Sequence, residues 1–554
     1  MNTRREFLVG SFSILAAAVA LPLLPSARVF AQSAIPRMPG LNPFLAKSAF
    51  PISHSNPGAT EAVPHAGPTK GRQLTAADVK TIPNVFTSHP TVKNVGGERI
   101  IIASGVDGIR KILATGDAFE LIDFIAYPGH GDYVAKATPA AIEAALEKAD
   151  AAYREKDDTA IMALSGPMSD SGFNRRQIAG GAYNMIDKDG FHYAPSGGLT
   201  IVKSTDDNQP RGKLRIVKSK DLAADVPAEL KASVTYIVGI TMSYAGDVIV
   251  AAHGALFLLD RELEFKGVLP IPGEAIENSI CADEKGIYVV TSRRMLKVVW
   301  TGTKLSFDET DGGWQSPYNT MSPERAKAAG ALTVSGGSGT TPSLMGFGDD
   351  PDKLVVISDA DPQGAQVVAF WRDEIPADFK QQPGTQSRRI AGQIRTDIST
   401  VTIEPSFSVL GYGVVVQNGA YPQPVPDIWS NAFSAGVTRP APFGIQKFTW
   451  NTQTRSFEKN WINQEVDNTD VMVPVVAAAN RMIYLASKKD GIYEYLGVDW
   501  DTGETKARWP FPDDSRKWNA WGGITALLED GDLLIGGVFA IKRVNIGGNG
   551  QSIA

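Results

Sequence analysis

A phrase recurs along this chain: a tight polar turn, an apolar strand, a short loop and a second apolar strand. Its plainest copies are Gly246-Asp247 before VIVAAHGALFLLD, Lys285-Gly286 before IYVVTSRRMLKVVW, Lys353 before LVVISDADPQGAQVVAFW, and Arg481 before MIYLASKKDGIYEYLG. A polar or Pro-bearing strand precedes each copy. The period is about 40–50 residues, the length of one four-stranded propeller blade. A single blade leaves both faces uncovered, so blades have to stack around an axis. The expected fold is therefore an all-β propeller. A chain of 554 residues has room for eight blades, or seven if one unit is irregular.

Eight units follow one another from about residue 83. They begin at Phe86-Thr87-Ser88-His89-Pro90, near Gly181-Ala182-Tyr183-Asn184, near Ile240, near Glu277, at Gly339-Thr340-Thr341-Pro342, at Glu404-Pro405-Ser406, at Met472-Val473-Pro474 and at Trp521-Gly522-Gly523. The last has space for about three strands, so an N-terminal strand is expected to complete it and close the ring. Three insertions break the rhythm. Thr138-Pro139 opens a helix over 138–156, with Thr138 as N-cap and Ile142, Leu146, Ala149 and Tyr153 on its apolar face. Ser322-Pro323-Glu324 opens a second over 322–330. The third, Ala420 to Pro442, carries Tyr421, Trp429 and Phe433; it either covers a pocket or packs on the next blade.

The first 31 residues read as an export signal. Thr3-Arg4-Arg5-Glu6-Phe7-Leu8 precedes an apolar stretch and Val29-Phe30-Ala31, a pattern that resembles a twin-arginine (Tat) signal peptide with its cleavage site. The Tat translocase is then a partner during export, the destination is periplasmic, and no membrane span remains after cleavage. Cleavage deletes Arg4, Arg5, Arg28 and Glu6, a net +2, and takes the formal charge from −6 to −8. An acidic chain without a basic run is a poor partner for nucleic acid. Residues 32–75, rich in Pro, Gly, Ser and Ala, read as an extended arm wrapping a single propeller domain at 76–554. The one cysteine, Cys281, excludes internal disulfides and cysteine-based metal centres. Its place in an apolar strand makes it a core residue.

Blade geometry selects a site without any motif. The innermost strand starts at one face, and the second strand returns there, so strand starts and second-strand ends share one mouth. Glu277 and Glu404 occupy similar starts in units four and six. Two carboxylates near a narrow axis repel unless a cation, a proton or a base offsets them. Oxygen ligands of this kind suit a divalent metal such as calcium, with Asn278, Asp359 and Asn418 as neighbouring candidates. Arg293 and Lys488 are the cations placed to pair with these acids or to hold a cofactor. Of six histidines, none has metal-motif spacing. The repeat register puts His89 and His253 at the mouth, with His130 on a loop leading there; a histidine beside a carboxylate is the usual equipment for acid–base work. His192, within a strand, reads as structural. The Gly-rich run Ser335 to Thr341 lacks the lysine and following helix of a nucleotide loop.

Asp501-Thr502-Gly503 through Trp509 resembles the D-x-T-G-x-x-x-W turn of quinoprotein propeller blades, with a looser echo from Trp450 to Trp461. That resemblance implies a propeller whose motif tryptophan packs blade on blade, and raises pyrroloquinoline quinone (PQQ) as an alternative cofactor for an oxidoreductase. In type of site, the paired glutamates resemble the calcium-dependent lactonase propellers. The expectation is an exported enzyme acting on a small-molecule substrate at the channel mouth by metal-assisted hydrolysis of an ester or lactone. A quinoprotein-like oxidoreductase and a non-catalytic binding propeller are the alternatives.

Overall fold

A computed structural model describes residues 35–164, 182–331, 335–401, 403–425 and 428–548, with backbone alone at Ile428 and Trp429. The signal segment at 1–31 lies outside the described residues. Residues 36–554 form one compact unit.

Eight antiparallel sheets of mostly four strands follow in chain order, each an up-and-down meander from the axis outward. The innermost strands are Thr91–Val95, Met185–Ile186, Ile237–Met242, Cys281–Asp283, Ser343–Met345, Ser408–Leu410, Val475–Ala477 and Ala526–Leu527. Each begins just after, or within a few residues of, the start read from the repeat, so the blade count is eight. The eighth blade holds three strands from the C-terminus, and Val79–Thr87 pairs with Gly537–Val544 as its outer strand. This clasp lies immediately beyond the stretch read as the arm.

The blades lock through a repeated device. Trp300 covers Gly267 of the preceding blade, Trp450 covers Gly392 and Trp500 covers Gly413; a Cβ at these glycines would lie 3.1, 2.8 and 2.6 Å from the indole. A flat indole seats on a strand only where no side chain intervenes, and each burial removes roughly 150–250 Å² of apolar surface from water. The motif tryptophan behaves differently from the expectation. Trp509 is fully buried but covers Gly497 and Tyr484 within its own blade. Trp461, from the looser echo, lies over Gly503 of the next blade, whose φ of +75° needs glycine.

The helices form where their caps dictate. Thr138 accepts from the Ala141 amide (3.2 Å) to start Pro139–Glu155, which buries Ile142, Leu146, Ala149 and Tyr153. Ser322 caps Pro323–Ala328 in the same way. Among the described residues three further α-helices, Gly131–Lys136, Asp158–Ala163 and Ile428–Ser434, lie in or beside the same insertions. Among the described residues no helix is long and apolar enough to cross a membrane.

The arm departs most from expectation: it runs through the ring instead of wrapping it. Inner strands present unpaired amides to the axis, and these must be satisfied. Residues 50–63 do this in succession. Val92 of blade 1 donates to Phe50 O (2.7 Å), Ile186 of blade 2 to Pro51 O (2.7 Å), and Ala282 of blade 4 to Pro57 O (2.8 Å). Leu344 of blade 5 donates to Gly58 O (2.9 Å), Val409 of blade 6 to Thr60 O (2.8 Å), and Val476 of blade 7 to Glu61 O (2.8 Å). Ala62–Val63 then adds a parallel strand inside blade 7. Asn42 reaches blade 3 at Met242 O (2.9 Å), and His65 meets Leu527 O of blade 8 (2.9 Å). Segment 50–63 is an axial plug, buried along almost its whole length. Fitting it to six sheets in succession puts His54, Ser55, Ala59 and Glu61 at φ of 66°, 68°, 49° and 57°. Non-glycine residues held there store strain, which gathers at functional sites.

Candidate functional site

Above the plug lies a cavity of about 190 Å³, larger than the roughly 150 Å³ apolar cavity that takes a benzene. Its wall is built from the segments that lead into the innermost strands: Phe86 and Ser88, Ala182 and Tyr183, Tyr236 to Val238, Glu277 and Asn278, Glu404 to Ser406, Asp470, Val471 and Val473, and Trp521, Gly522 and Ile524. Ala432 of the third insertion and His54 of the plug complete it. The insertion therefore covers the cavity and also packs on a neighbour: Phe433 lies tilted against Trp521 with ring centres 4.3 Å apart, and Tyr153 donates to Phe433 O (2.6 Å).

His54 is the chemical centre. Its Nδ1 hydrogen-bonds a carboxylate oxygen of Glu61, and both side chains are buried within the plug. The other ring nitrogen, Nε2, lies 3.1 Å from Thr341 Oγ1. Asn278 is a hub beside them: its Oδ1 accepts from the Tyr183 hydroxyl, from Thr341 Oγ1 (3.1 Å) and from the Ser279 amide (2.8 Å), while its Nδ2 donates to Gly339 O. His89 sits beneath, its Nε2 against Ser53 Oγ, with its ring 6.2 Å from that of His54 and 5.7 Å from that of Tyr183. A carboxylate on one imidazole nitrogen fixes the tautomer and leaves the other nitrogen to accept a proton.

The structure brings Glu277, Glu404 and Asn278 to one cavity and separates the other sequence candidates from it. Glu277 accepts from the amide (3.1 Å) and hydroxyl of Ser335, so the Gly-rich run is a mouth loop held by this acid. His89 is buried like His54 but is not part of the cavity wall, and desolvation followed by the field of His54 holds its pKa well below the ordinary value. His253 packs behind Tyr236 at 5.0 Å. His130 is tied through Nδ1 to Val106 O (3.0 Å) and stands edge-on to Tyr127. Asp359 accepts from the amides of Gln366 (2.8 Å) and Asp361 (3.2 Å) and from the Gln366 side chain (2.9 Å), which commits it to its own loop. Asn418 donates to Phe443 O and accepts from the Ala420 amide. Arg293 is exposed outside the cavity, and Lys488 is buried in a separate depression, donating to Ala435 O (3.3 Å) and standing 3.9 Å from Asp470. His192 is structural, bonded to Ser204 and Asn184 and pushed down to about 3 by burial. Cys281 is buried, which pushes its thiol well up.

These positions bear on the expected cofactors. Among the described residues no three His, Cys, Asp or Glu side chains converge as a metal centre does. Asn278 Oδ1 already accepts from the Tyr183 hydroxyl and the Ser279 amide, and Asp359 is committed elsewhere, so the donor set does not fit calcium. PQQ carries three carboxylates, whereas the wall supplies Glu277, Glu404 and Asp470 and, among the described residues, no Lys or Arg. The wall does not fit that cofactor either.

No family model matches the chain. An uncharacterized protein of Archaeoglobus fulgidus is 30% identical over 339 residues, covering 56% of this chain and 60% of the relative. The chain thus spans less than two thirds of that relative's length. Among solved structures, a europium-containing methanol dehydrogenase is similar over 88% of this chain and 90% of its own, at 9% identity and a TM-score of 0.48. A protein from Bacteroides fragilis NCTC 9343, provisionally described as a 6-phosphogluconolactonase, is similar over 78% and 94%, at 11% identity and a TM-score of 0.37.

Proposed function

We propose that this protein is an exported propeller enzyme that hydrolyses an ester or lactone of a small organic molecule in the axial cavity, with His54 as general base and then general acid. The observation that carries this reading is the bond between His54 Nδ1 and buried Glu61 in a histidine that also lines the cavity. With Nδ1–H donated to Glu61, Nε2 accepts from the Thr341 hydroxyl at rest; when that hydroxyl turns to Asn278 Oδ1, Nε2 accepts a proton from water as the water oxygen attacks the substrate carbonyl. Collapse of the adduct breaks the carbon–oxygen bond, and Nε2 returns the proton to the departing alkoxide. Glu61 stabilises the imidazolium formed in between. No electron transfer or further reactant is required. Export rests on the twin-arginine segment, with the periplasm as destination.

The test is hydrolysis of a panel of small esters and lactones by the purified protein, alongside His54→Gln. A general base contributes about 10²–10⁴-fold, so the variant is expected to lose at least a hundredfold in kcat while retaining its fold. Full activity in His54→Gln would refute the assignment. A folded protein that binds members of the panel without turning any over would be a binding propeller.

A further inference from the structure

We propose that the ligand of the axial cavity is an organic cation, a quaternary or protonated amine carrying a hydrogen-bond acceptor. This rests on the preceding reading only in taking the cavity as the substrate site. Glu277, Glu404 and Asp470 line the cavity, and among the described residues no cationic side chain does. The rest of the wall is largely apolar and includes the aromatic Phe86, Tyr183, Tyr236 and Trp521; aromatic faces attract cations, and in one cavity with carboxylates they suit alkylammonium groups. Two further observations point to a ligand. Asp470 is 5% exposed, and its Oδ1 has no hydrogen-bond partner, with the Lys488 ammonium 3.9 Å away. Trp521 is 1% exposed, and its Nε1 has no partner. Buried polar atoms are ordinarily satisfied, and these two occupy neighbouring stretches of the wall, since Asp470 Oδ2 accepts from the Ala520 amide (2.7 Å) and Asp470 O from that of Gly522 (2.8 Å). An open acceptor and an open donor on adjoining segments of one wall match a molecule with a cationic head and an ester or hydroxyl oxygen.

Choline, its neutral isostere 3,3-dimethylbutanol and the anion 3,3-dimethylbutanoate share shape and differ in charge. Titration calorimetry on the full-length mature protein is expected to show choline binding at least tenfold tighter than the alcohol, and the carboxylate weakest. Glu404→Gln and Glu277→Gln should each shrink the choline-to-alcohol ratio at least threefold; the wild-type comparison stands even if a variant misfolds. Equal binding of the alcohol, preference for the carboxylate, or no detectable binding of choline overturns the proposal. The acetates of choline and 3,3-dimethylbutanol separate this from the hydrolase reading. Choline preference without hydrolysis of either acetate leaves the cation site and removes the hydrolase. Equal hydrolysis of both acetates does the reverse.

Discussion

His54 and Glu61 stand seven residues apart in sequence and meet side chain to side chain inside the axial plug, where the Nδ1 of one bonds the carboxylate of the other. Both adopt left-handed backbone, at φ of 66° and 57°. The chain between them passes from blade 2 to blade 7, so the pair is held by the whole ring. An imidazole–carboxylate pair fixed in this way is oriented before any ligand arrives.

Replacing Glu61 by Gln tests that orientation. The amide matches the carboxylate in size but offers the imidazole a different tautomer, one with its proton on Nε2, which can then no longer accept. Hydrolysis is expected to fall by about 10²–10⁴-fold in kcat with KM little changed, while circular dichroism stays that of the parent. An unchanged kcat would mean that Glu61 only supports the plug.

Asp359 gives a pH signature in a different part of the ring. Burial pushes its carboxyl up to about 7, against the hydrogen bonds from Gln366 and Asp361. The unfolded chain releases this proton near pH 4. The stability that the group supplies is therefore full below about pH 4 and is lost as pH rises through 7. Asp359→Asn removes this dependence. Its melting temperature should exceed that of the parent at pH 8, by an amount equivalent to roughly 1–4 kcal/mol, and show no such gain at pH 4. Equal differences at both pH values would rule the account out.

Chelation separates the two readings of the paired glutamates. If they hold no ion, EDTA leaves the melting temperature unchanged, and Glu404→Gln holds or raises it by relieving repulsion in the cavity. A chelator-sensitive melt, weakened further in Glu404→Gln, would restore a metal site there.

Export is tested by changing Arg4 and Arg5 together to Lys. The transport receptor reads the arginine pair and not general charge, so precursor should accumulate in the cytoplasm. Normal arrival in the periplasm would overturn the twin-arginine assignment.

The parts of this fold that local chemistry dictates were legible in the sequence. Glycine- and aspartate-bearing turns marked the blades, Thr138 and Ser322 marked two helix starts, and repeat register put Glu277 and Glu404 in the wall of one cavity. The same register favoured His89 and His253, because it locates backbone at the mouth but not the depth of a side chain. His54 and Glu61 were illegible as a pair, since their meeting depends on the ring that surrounds them. One signal was present: from 48 to 69 the only carboxylate or lysine/arginine side chain is Glu61, and so uncharged a stretch of Pro, Gly and Ser is suited to burial, not to a surface strap.

The plug and the clasp set an order of assembly. Segment 50–63 binds inner strands as far as the seventh blade, His65 reaches the eighth, and Val79–Thr87 pairs with Gly537–Val544. His54 and Glu61 are thus synthesised long before most of the strands that enclose them. A ribosome-bound fragment lacking only its final strands carries both residues and still has no site. Segment 50–63 is enclosed by a ring that the pairing of Val79–Thr87 with Gly537–Val544 closes, and releasing it means opening that ring.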